Sequence, residues 1–107
     1  MEAGERLTRT EGLKPGDVLM VAVELRDRTT GQPFWWKRFA CVRSLAGRDH
    51  AELLSLKMYI DPDKDLRIVD FDRDVVTWVP PETWPQGVIA MRTKWITKGL
   101  IPLGQGD

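Results

Sequence analysis

The stretch that decides the fold is residues 14–45, KPGDVLMVAVELRDRTTGQPFWWKRFACVRSL. It opens on a turn signal, KPGD, and its middle is a polar segment, DRTTGQP, that contains the strand breakers Gly31 and Pro33. The segments on either side are rich in β-branched and aromatic residues, which are typical of strands. Residues 18–25 and 34–45 are therefore predicted to pair as one long antiparallel hairpin.

Three more strands are predicted after this hairpin. The turn AGRD is followed by residues 50–60, whose alternation places four apolar side chains on one face: Leu54, Leu56, Met58 and Ile60. Residues 66–71 and 75–79 are two further short strands separated by a polar bend. Pro80 and Pro81 end the sheet, because proline donates no hydrogen bond to a neighbouring strand.

The last element is predicted to be a helix over 84–98. Thr83 is placed as its N-cap and Pro85 in its first turn, and Gly99 stands where a left-handed residue ends a helix. At about 100° per residue, four apolar residues share one face and form the predicted buried stripe: Trp84, Val88, Met91 and Trp95. A strand over 88–95 is the alternative, because four residues of this region disfavour a helix: Gly87, Thr93, Ile96 and Thr97.

Together these elements predict an α+β fold, a curved antiparallel β-sheet or small open barrel with one C-terminal α-helix. Residues 1–13 show no strand or helix pattern and are interpreted as a flexible N-terminal tail, which leaves 14–107 as a single small β-rich domain. The 107 residues, 42% hydrophobic and 30% charged, have the composition of one ordinary globular domain.

Charge and cysteine content narrow the class of protein. The chain carries 16 basic and 16 acidic residues, which argues against an affinity that rests mainly on nucleic-acid phosphates. Cys41 is the only cysteine, so no intrachain disulfide is expected, which fits a reducing compartment. The polar start is unlike a signal peptide, and no apolar run approaches the roughly 20 residues of a membrane span. We therefore expect a cytoplasmic protein without membrane contact.

The sequence shows no complete set of residues for nucleophilic catalysis. Nucleophilic catalysis needs a base within hydrogen-bond reach of the nucleophile. His50 is the only histidine and lies beside a turn, so it is interpreted as a solvated turn residue. Cys41 has apolar neighbours in its strand, which favours a packed and inert thiol. No catalytic residue is assigned, and the sequence favours a protein that is not an enzyme.

The aspartate-rich segment 61–72 has part of the pattern of a calcium loop. Aspartates stand at its first, third and fifth positions, as such loops require. Leu66 stands where the loop needs glycine, however, and Asp72 where it needs a bidentate glutamate. We therefore expect no metal site and no cofactor.

The sharpest local signal is the run of Trp35 and Trp36 followed by two cations. Adjacent strand residues point to opposite faces, so one tryptophan is expected in the core and the other outside. An exposed tryptophan beside cations can anchor a protein interface, or it can stack on a base while the cations meet phosphate. Burial of both tryptophans within the domain is the third interpretation. The candidate binding residues are Trp35, Trp36, Lys37, Arg38 and Arg43.

Charge is unevenly distributed along the chain. Segment 26–48 has six basic residues and one acidic residue, a net charge of +5, whereas segment 61–74 has six acidic and three basic residues, a net charge of −3. Opposed charges of this kind can steer a partner or a second copy of the chain. This distribution predicts a homodimer in which each basic hairpin meets the acidic segment of the other copy.

The turn GDV at 16–18, followed by a hairpin and the segment ACVRS at 40–44, resembles the start of small SH3-like toxin barrels of the MazF/PemK type. The resemblance implies an SH3-like barrel and a toxin-type ribonuclease. The arginine–proline pair that such toxins often carry before the second strand is absent, and Lys37, Arg38 and Phe39 stand there instead. No catalytic residue is therefore carried over from that family.

Two functions are predicted from these observations. The first is a small non-enzymatic accessory domain that binds a protein partner or its own copy. The alternative is a small RNA- or DNA-binding protein, of which an SH3-like toxin-type ribonuclease is one form. A steep salt dependence of oligonucleotide affinity would favour the alternative.

Overall fold

The computed structural model describes residue 2, residues 4–57 and residues 66–103. Five strands form one antiparallel sheet: β1 (Val18–Arg26), β2 (Pro33–Leu45), β3 (His50–Ser55), β4 (Leu66–Asp70) and β5 (Val75–Trp78). Their order across the sheet is β4-β3-β2-β1-β5, and the sheet curls into a half-barrel. One helix, α1 (Gln86–Thr97), follows the last strand. The predicted α+β fold is confirmed.

The long hairpin forms where the sequence predicts it. β1 and β2 pair continuously from Val18 opposite Cys41 to Arg26 opposite Pro33. β3 is shorter than the predicted strand over 50–60, since it ends at Ser55. The next residue, Leu56, packs into the apolar cluster beneath the helix. Leu54 and Leu56 belong to the same apolar cluster, as their alternation predicts, whereas Met58 and Ile60 lie outside the described residues.

Alternation along the strands gives the sheet two apolar faces. One cluster draws on all five strands and on Leu7 and Leu13 of the N-terminal segment. We call this side of the sheet the inner face, and its strand residues are Leu19, Val21, Ala40, Val42, Ala51, Leu53, Val69, Val76 and Trp78. The other side, the helix face, carries strand residues such as Val18 and Cys41 packed against the helix residues Val88 and Trp95. The domain therefore has two cores, one on each side of the same sheet.

The C-terminal segment is a helix, so the alternative strand over 88–95 is wrong. The position of its N-cap also needs correction. Thr83 lies in a separate 3-10 turn, where its hydroxyl donates to the Pro80 carbonyl at 2.8 Å, and the residue before the α-helix is Pro85. Trp84 lies between the two and donates its indole N–H to the Val79 carbonyl at 2.9 Å. None of the helical segments in the described part of the chain has the length and apolar character needed to cross a membrane.

The end of the helix follows the sequence prediction closely. Gly99 has a φ of +80°, and its N–H donates to the Ile96 carbonyl at 3.0 Å. The N–H of Leu100 donates to the Trp95 carbonyl at 2.9 Å. These two bonds satisfy carbonyls that the helix leaves free, and they direct the chain back onto the helix face. Along the predicted stripe, Val88 and Trp95 are buried, and Trp84 and Met91 pack partly against them.

The N-terminal segment contacts the sheet, which its interpretation as a flexible tail did not anticipate. Leu7 and Leu13 are buried in the inner-face cluster. The N–H of Leu7 donates to the Val76 carbonyl at 2.8 Å, and Arg6 forms a single bridge opposite Thr77. Apolar residues at 7 and 13 can therefore fill the inside of the curled sheet without any strand or helix pattern of their own.

The KPGD turn, residues 14–17, immediately precedes β1 and contacts both β2 and α1. Gly16 has a φ of +97°, and its N–H donates to the Val42 carbonyl at 2.9 Å. The guanidinium of Arg92, on α1, donates to the Gly16 carbonyl at 2.8 Å. A Cβ at position 16 would overlap the side chain of Leu103, so both the backbone and the space there require glycine. The predicted turn is thus also the point where the C-terminal segment docks.

Candidate functional site

The far part of the β1–β2 hairpin extends beyond the rest of the sheet. β5 pairs with β1 only over 19–22, and β3 pairs with β2 only over 40–45. Within the described residues, segment 23–37 therefore forms a two-stranded ribbon without a third strand, which we call the arm. Two-stranded hairpins alone are marginally stable in water, so a further contact would stabilise the arm.

The tip of the arm is fixed by its own polar groups. The N–H of Asp27 donates to the Gln32 carbonyl at 2.9 Å, and the Asp27 carboxylate accepts the N–H groups of Thr29 and Thr30 at 2.8 and 2.9 Å. The two backbone N–H groups, with Thr30 the stronger, hold the pKa of Asp27 below its usual range. The tip therefore presents a defined loop without any tertiary contact being needed to shape it.

Apolar side chains of the arm are exposed on the continuation of a core face. Leu25 and Phe34 are directly opposite each other, and alternation places them on the same side of the strands as Val21 and Ala40. Val21 and Ala40 are buried at 5% exposure, whereas Leu25 is 40% and Phe34 45% exposed. The inner face therefore continues past the sheet as an uncovered apolar pair.

A cavity of about 430 Å³ adjoins the arm. Its apolar lining comes from buried residues of the inner face, namely Val21, Ala40, Leu53 and Val69. Glu24 and Trp35, a cross-strand pair of the arm, also border it. Trp35 is 56% exposed and Ile68, on β4, is 62% exposed. Both residues border the cavity, but alternation sets them on the opposite side of their strands from its apolar lining. A cavity with an apolar interior is the usual form of a binding site.

The polar lining of the cavity is mainly cationic. Arg38 on β2, Arg67 on β4 and Arg73 in the β4–β5 turn contribute three guanidinium groups, against the carboxylates of Glu24 and Asp74. Arg73 and Asp74 form a loose ion pair of 3.9 Å. The cavity can therefore receive an anionic group beside an apolar one, since guanidinium is the preferred partner of carboxylate and phosphate oxygens.

The predicted binding residues fall in different places. Trp35 and Arg38 both line the cavity. Lys37, which lies between them in the sequence, is exposed on the arm. Arg43 lies at an irregularity in the pairing of β2 with β3 and forms an ion pair with Glu52 at 2.9 Å. The backbone of Trp36 pairs with Val23, but its side chain lies outside the part of the chain that the structure describes. Of the predicted set, Trp35 and Arg38 share the cavity with residues of β4.

The single cysteine lies on the helix face. Cys41 is fully buried, and burial, the largest influence, raises the pKa of its thiol to about 12. The only histidine, His50, contacts Asp49 and Asp70 instead. A thiol with so high a pKa is protonated at neutral pH and is a poor nucleophile.

Sequence reasoning missed the cavity residues contributed by β4 and the turn after it. Arg67, Ile68 and Arg73 come from a segment read only as short strands and charged turns. The pairing of β4 with β3 sets Arg67 opposite Leu53, and no local sequence pattern indicates this pairing. The first five residues of the aspartate segment 61–72, which include the aspartates at 61, 63 and 65, lie outside the described residues. Comparison with protein families, with curated proteins and with solved structures finds no match to this chain.

Proposed function

We propose that this chain is a non-enzymatic protein-binding domain whose arm and adjoining cavity receive an acidic, apolar-anchored segment of a partner protein. The observation that carries the proposal is the Leu25–Phe34 pair, which is 40% and 45% exposed although it continues the inner face of the sheet. A patch of this kind, bordered by charged residues, is typical of an interaction surface.

Covering the arm would be energetically favourable. Full burial of a leucine or phenylalanine side chain contributes about 1.5–3 kcal/mol relative to exposure in water. Leu25 and Phe34 have already lost part of that exposure by pairing with each other. Trp35 offers a further large side chain beside the cavity, and tryptophan is enriched among residues that dominate binding energy.

Charge complementarity selects an acidic partner. The arm carries three basic and two acidic residues: Arg26, Arg28, Lys37, Glu24 and Asp27. The cavity adds three more basic residues and one more acidic residue: Arg38, Arg67, Arg73 and Asp74. Six basic and three acidic residues give this combined surface a net charge of +3. An acidic segment would be steered to it, whereas the same surface of a second copy would place like charges together.

Single-stranded nucleic acid is the second candidate ligand. It is favoured by one observation, that the exposed Trp35 and three arginines border the same cavity: Arg38, Arg67 and Arg73. A base can stack on such a tryptophan while arginines meet the phosphates. Oligonucleotide affinity that falls steeply with salt, and is lost in Trp35→Ala, would favour this candidate over a peptide.

The proposal is tested by selecting random peptides about ten residues long, the upper length of a typical strand, on the folded protein. We expect the selected peptides to be enriched in acidic and large apolar residues. Their affinity should fall about tenfold or more in the double variant Leu25→Ser/Phe34→Ser, as for truncated anchor residues. Lys37→Glu, an exposed position of the arm, should weaken binding and reduce its salt dependence.

Leu45→Ser is the matched control, because Leu45 is 41% exposed but lies at the opposite end of β2. It should leave peptide affinity unchanged. Selected peptides without an acidic preference, or affinities equal in the double variant and the wild type, would contradict the proposal. Sedimentation at two salt concentrations checks self-association, and a dimer disrupted by charge reversal of Lys37, Arg38 and Arg43 would make a second copy the partner.

A further inference from the structure

An imidazole and two carboxylates meet where β3 begins and β4 ends. The strand register sets His50 directly opposite Asp70. Asp49 immediately precedes β3, and its carbonyl accepts the N–H of Phe71 at 2.8 Å, which ties the two chain segments together. Three side chains that can bind a metal ion are therefore brought to one place by strand pairing, away from the arm.

The distances within this group define a role for each side chain. The Asp49 carboxylate lies 2.6 Å from Nδ1 of His50, and Nε2 of the same ring lies 3.7 Å from Oδ2 of Asp70. When Nδ1 carries the ring proton and donates it in a hydrogen bond to Asp49, Nε2 keeps its lone pair. That lone pair is then on the side of the ring that faces Asp70. A carboxylate holding one ring nitrogen while the other binds an ion is the usual arrangement at protein metal sites.

We propose that His50 and Asp70 bind a divalent transition-metal ion of the zinc class, with Asp49 orienting the imidazole. A ring nitrogen and one oxygen from each carboxylate all lie within 4.8 Å of one another. Two ligands of a tetrahedral zinc ion are about 3.4 Å apart. The 3.7 Å between Nε2 and Oδ2 therefore needs to close by only a few tenths of an ångström.

The choice of ion follows from the ligand types. Calcium and magnesium prefer oxygen ligands alone, whereas an imidazole nitrogen with carboxylate oxygen suits zinc. The three side chains are 43%, 40% and 30% exposed for Asp49, His50 and Asp70, so an ion can enter and keep water as further ligands. The thiol of Cys41, which could also bind zinc, is fully buried and does not compete.

A bound ion would join the edge strand β4 to β3. Since the two ligands are 20 residues apart in sequence, the unfolded chain does not hold them together, and the ion should stabilise the folded state. The metal site is independent of the proposed protein-binding function, because none of its residues lines the cavity or belongs to the arm.

Zinc titration of the folded protein by calorimetry tests the proposal, together with the melting temperature in the presence of zinc. We expect one ion per chain and a rise in melting temperature. His50→Gln and Asp70→Asn should each abolish both effects, and Asp49→Asn should weaken affinity about 10–100-fold, as for other orienting partners. Asp72→Asn is the matched control, because only the backbone N–H of Asp72 contacts Asp70.

Nuclear magnetic resonance gives a second measurement that needs no variant. His50 is the only histidine, so the imidazole protons report on a single ring, and zinc should shift their signals. Unchanged imidazole signals at millimolar zinc, or zinc binding that is equal in folded His50→Gln and in the wild type, would overturn the proposal.

Discussion

The two ends of the β1–β2 hairpin carry apolar pairs of similar character but with opposite surroundings. At the base, Val18 and Cys41 lie opposite each other on the helix face, and each is fully buried. At the far end, Leu25 and Phe34 lie opposite each other, and each is roughly two-fifths exposed or more. The strands are continuous between them, so strand pairing alone does not determine burial.

What differs is the segment that covers each end. The base is covered by α1 and by Ile101, which is 1% exposed and belongs to the same cluster as Val18. Within the described residues, no such segment covers the arm. The two pairs lie on opposite faces of the same two strands. The difference shows that alternation sets which side chains share a face, while remote parts of the chain decide whether a given stretch of a face is closed or left for a partner.

The largest effect is expected from truncating the helix that covers the base. Trp95 is 5% exposed, so Trp95→Ala should lower the free energy of unfolding by about 3–5 kcal/mol, as for other buried aromatic residues. Trp35→Ala is the control at the other end, where the side chain is 56% exposed, and its cost should stay within about 1 kcal/mol. Urea unfolding measures both, and equal costs would mean that the two ends are covered alike.

An intermediate effect is expected from two glycines, one at each end of the hairpin. Gly16 and Gly31 both have positive φ, +97° and +73°. Gly31→Ala should cost about 1–2 kcal/mol for the backbone alone, because a Cβ there meets no neighbouring atom. Gly16→Ala should cost about 1–3 kcal/mol more, since the new Cβ overlaps Leu103. Thermal unfolding of the two variants separates the backbone cost from the cost of the overlap with Leu103. Equal losses of stability in the two variants would show that Leu103 moves aside freely.

The smallest effect at neutral pH concerns the thiol at the base. Burial raises the pKa of Cys41 to about 12 from an ordinary 9.0, so folding favours the neutral thiol. Its contribution to stability is present below pH 9 and is lost as the pH rises toward 12. We expect no reaction with a thiol reagent in the native state at mildly alkaline pH, and complete reaction once urea unfolds the chain. Rapid native-state labelling would show that the base opens.

Much of the fold could be predicted because its signals are local. Turn residues and strand-type residues located the five strands, and Gly99 with Leu100 located the end of the helix. The start of the helix was misplaced because Thr83 forms a local bond to Pro80 in a separate turn instead of capping the helix. Hydroxyl groups near a helix start commonly make such competing bonds.

The site was predictable only in part, because it depends on contacts between remote segments. Trp35 and Arg38 stand in the conspicuous tryptophan–cation run, and they line the cavity. Arg67 and Arg73 join them only through the curl of the sheet, which no local pattern records. The burial of Leu7 and Leu13 was missed for the same reason, since isolated apolar residues in a polar segment carry no periodicity.

The bond between Arg92 and the Gly16 carbonyl spans 76 residues of sequence, and it has a consequence for synthesis of the protein. While the nascent chain is still leaving the ribosome, β1 and β2 can pair, but the apolar helix face at their base stays bare until Trp95 and Ile101 have emerged. Contacts between such distant residues form late, because a long loop must close first. We therefore expect the nascent sheet to be a substrate for chaperones until α1 is released, and protection of the base to appear only after that point.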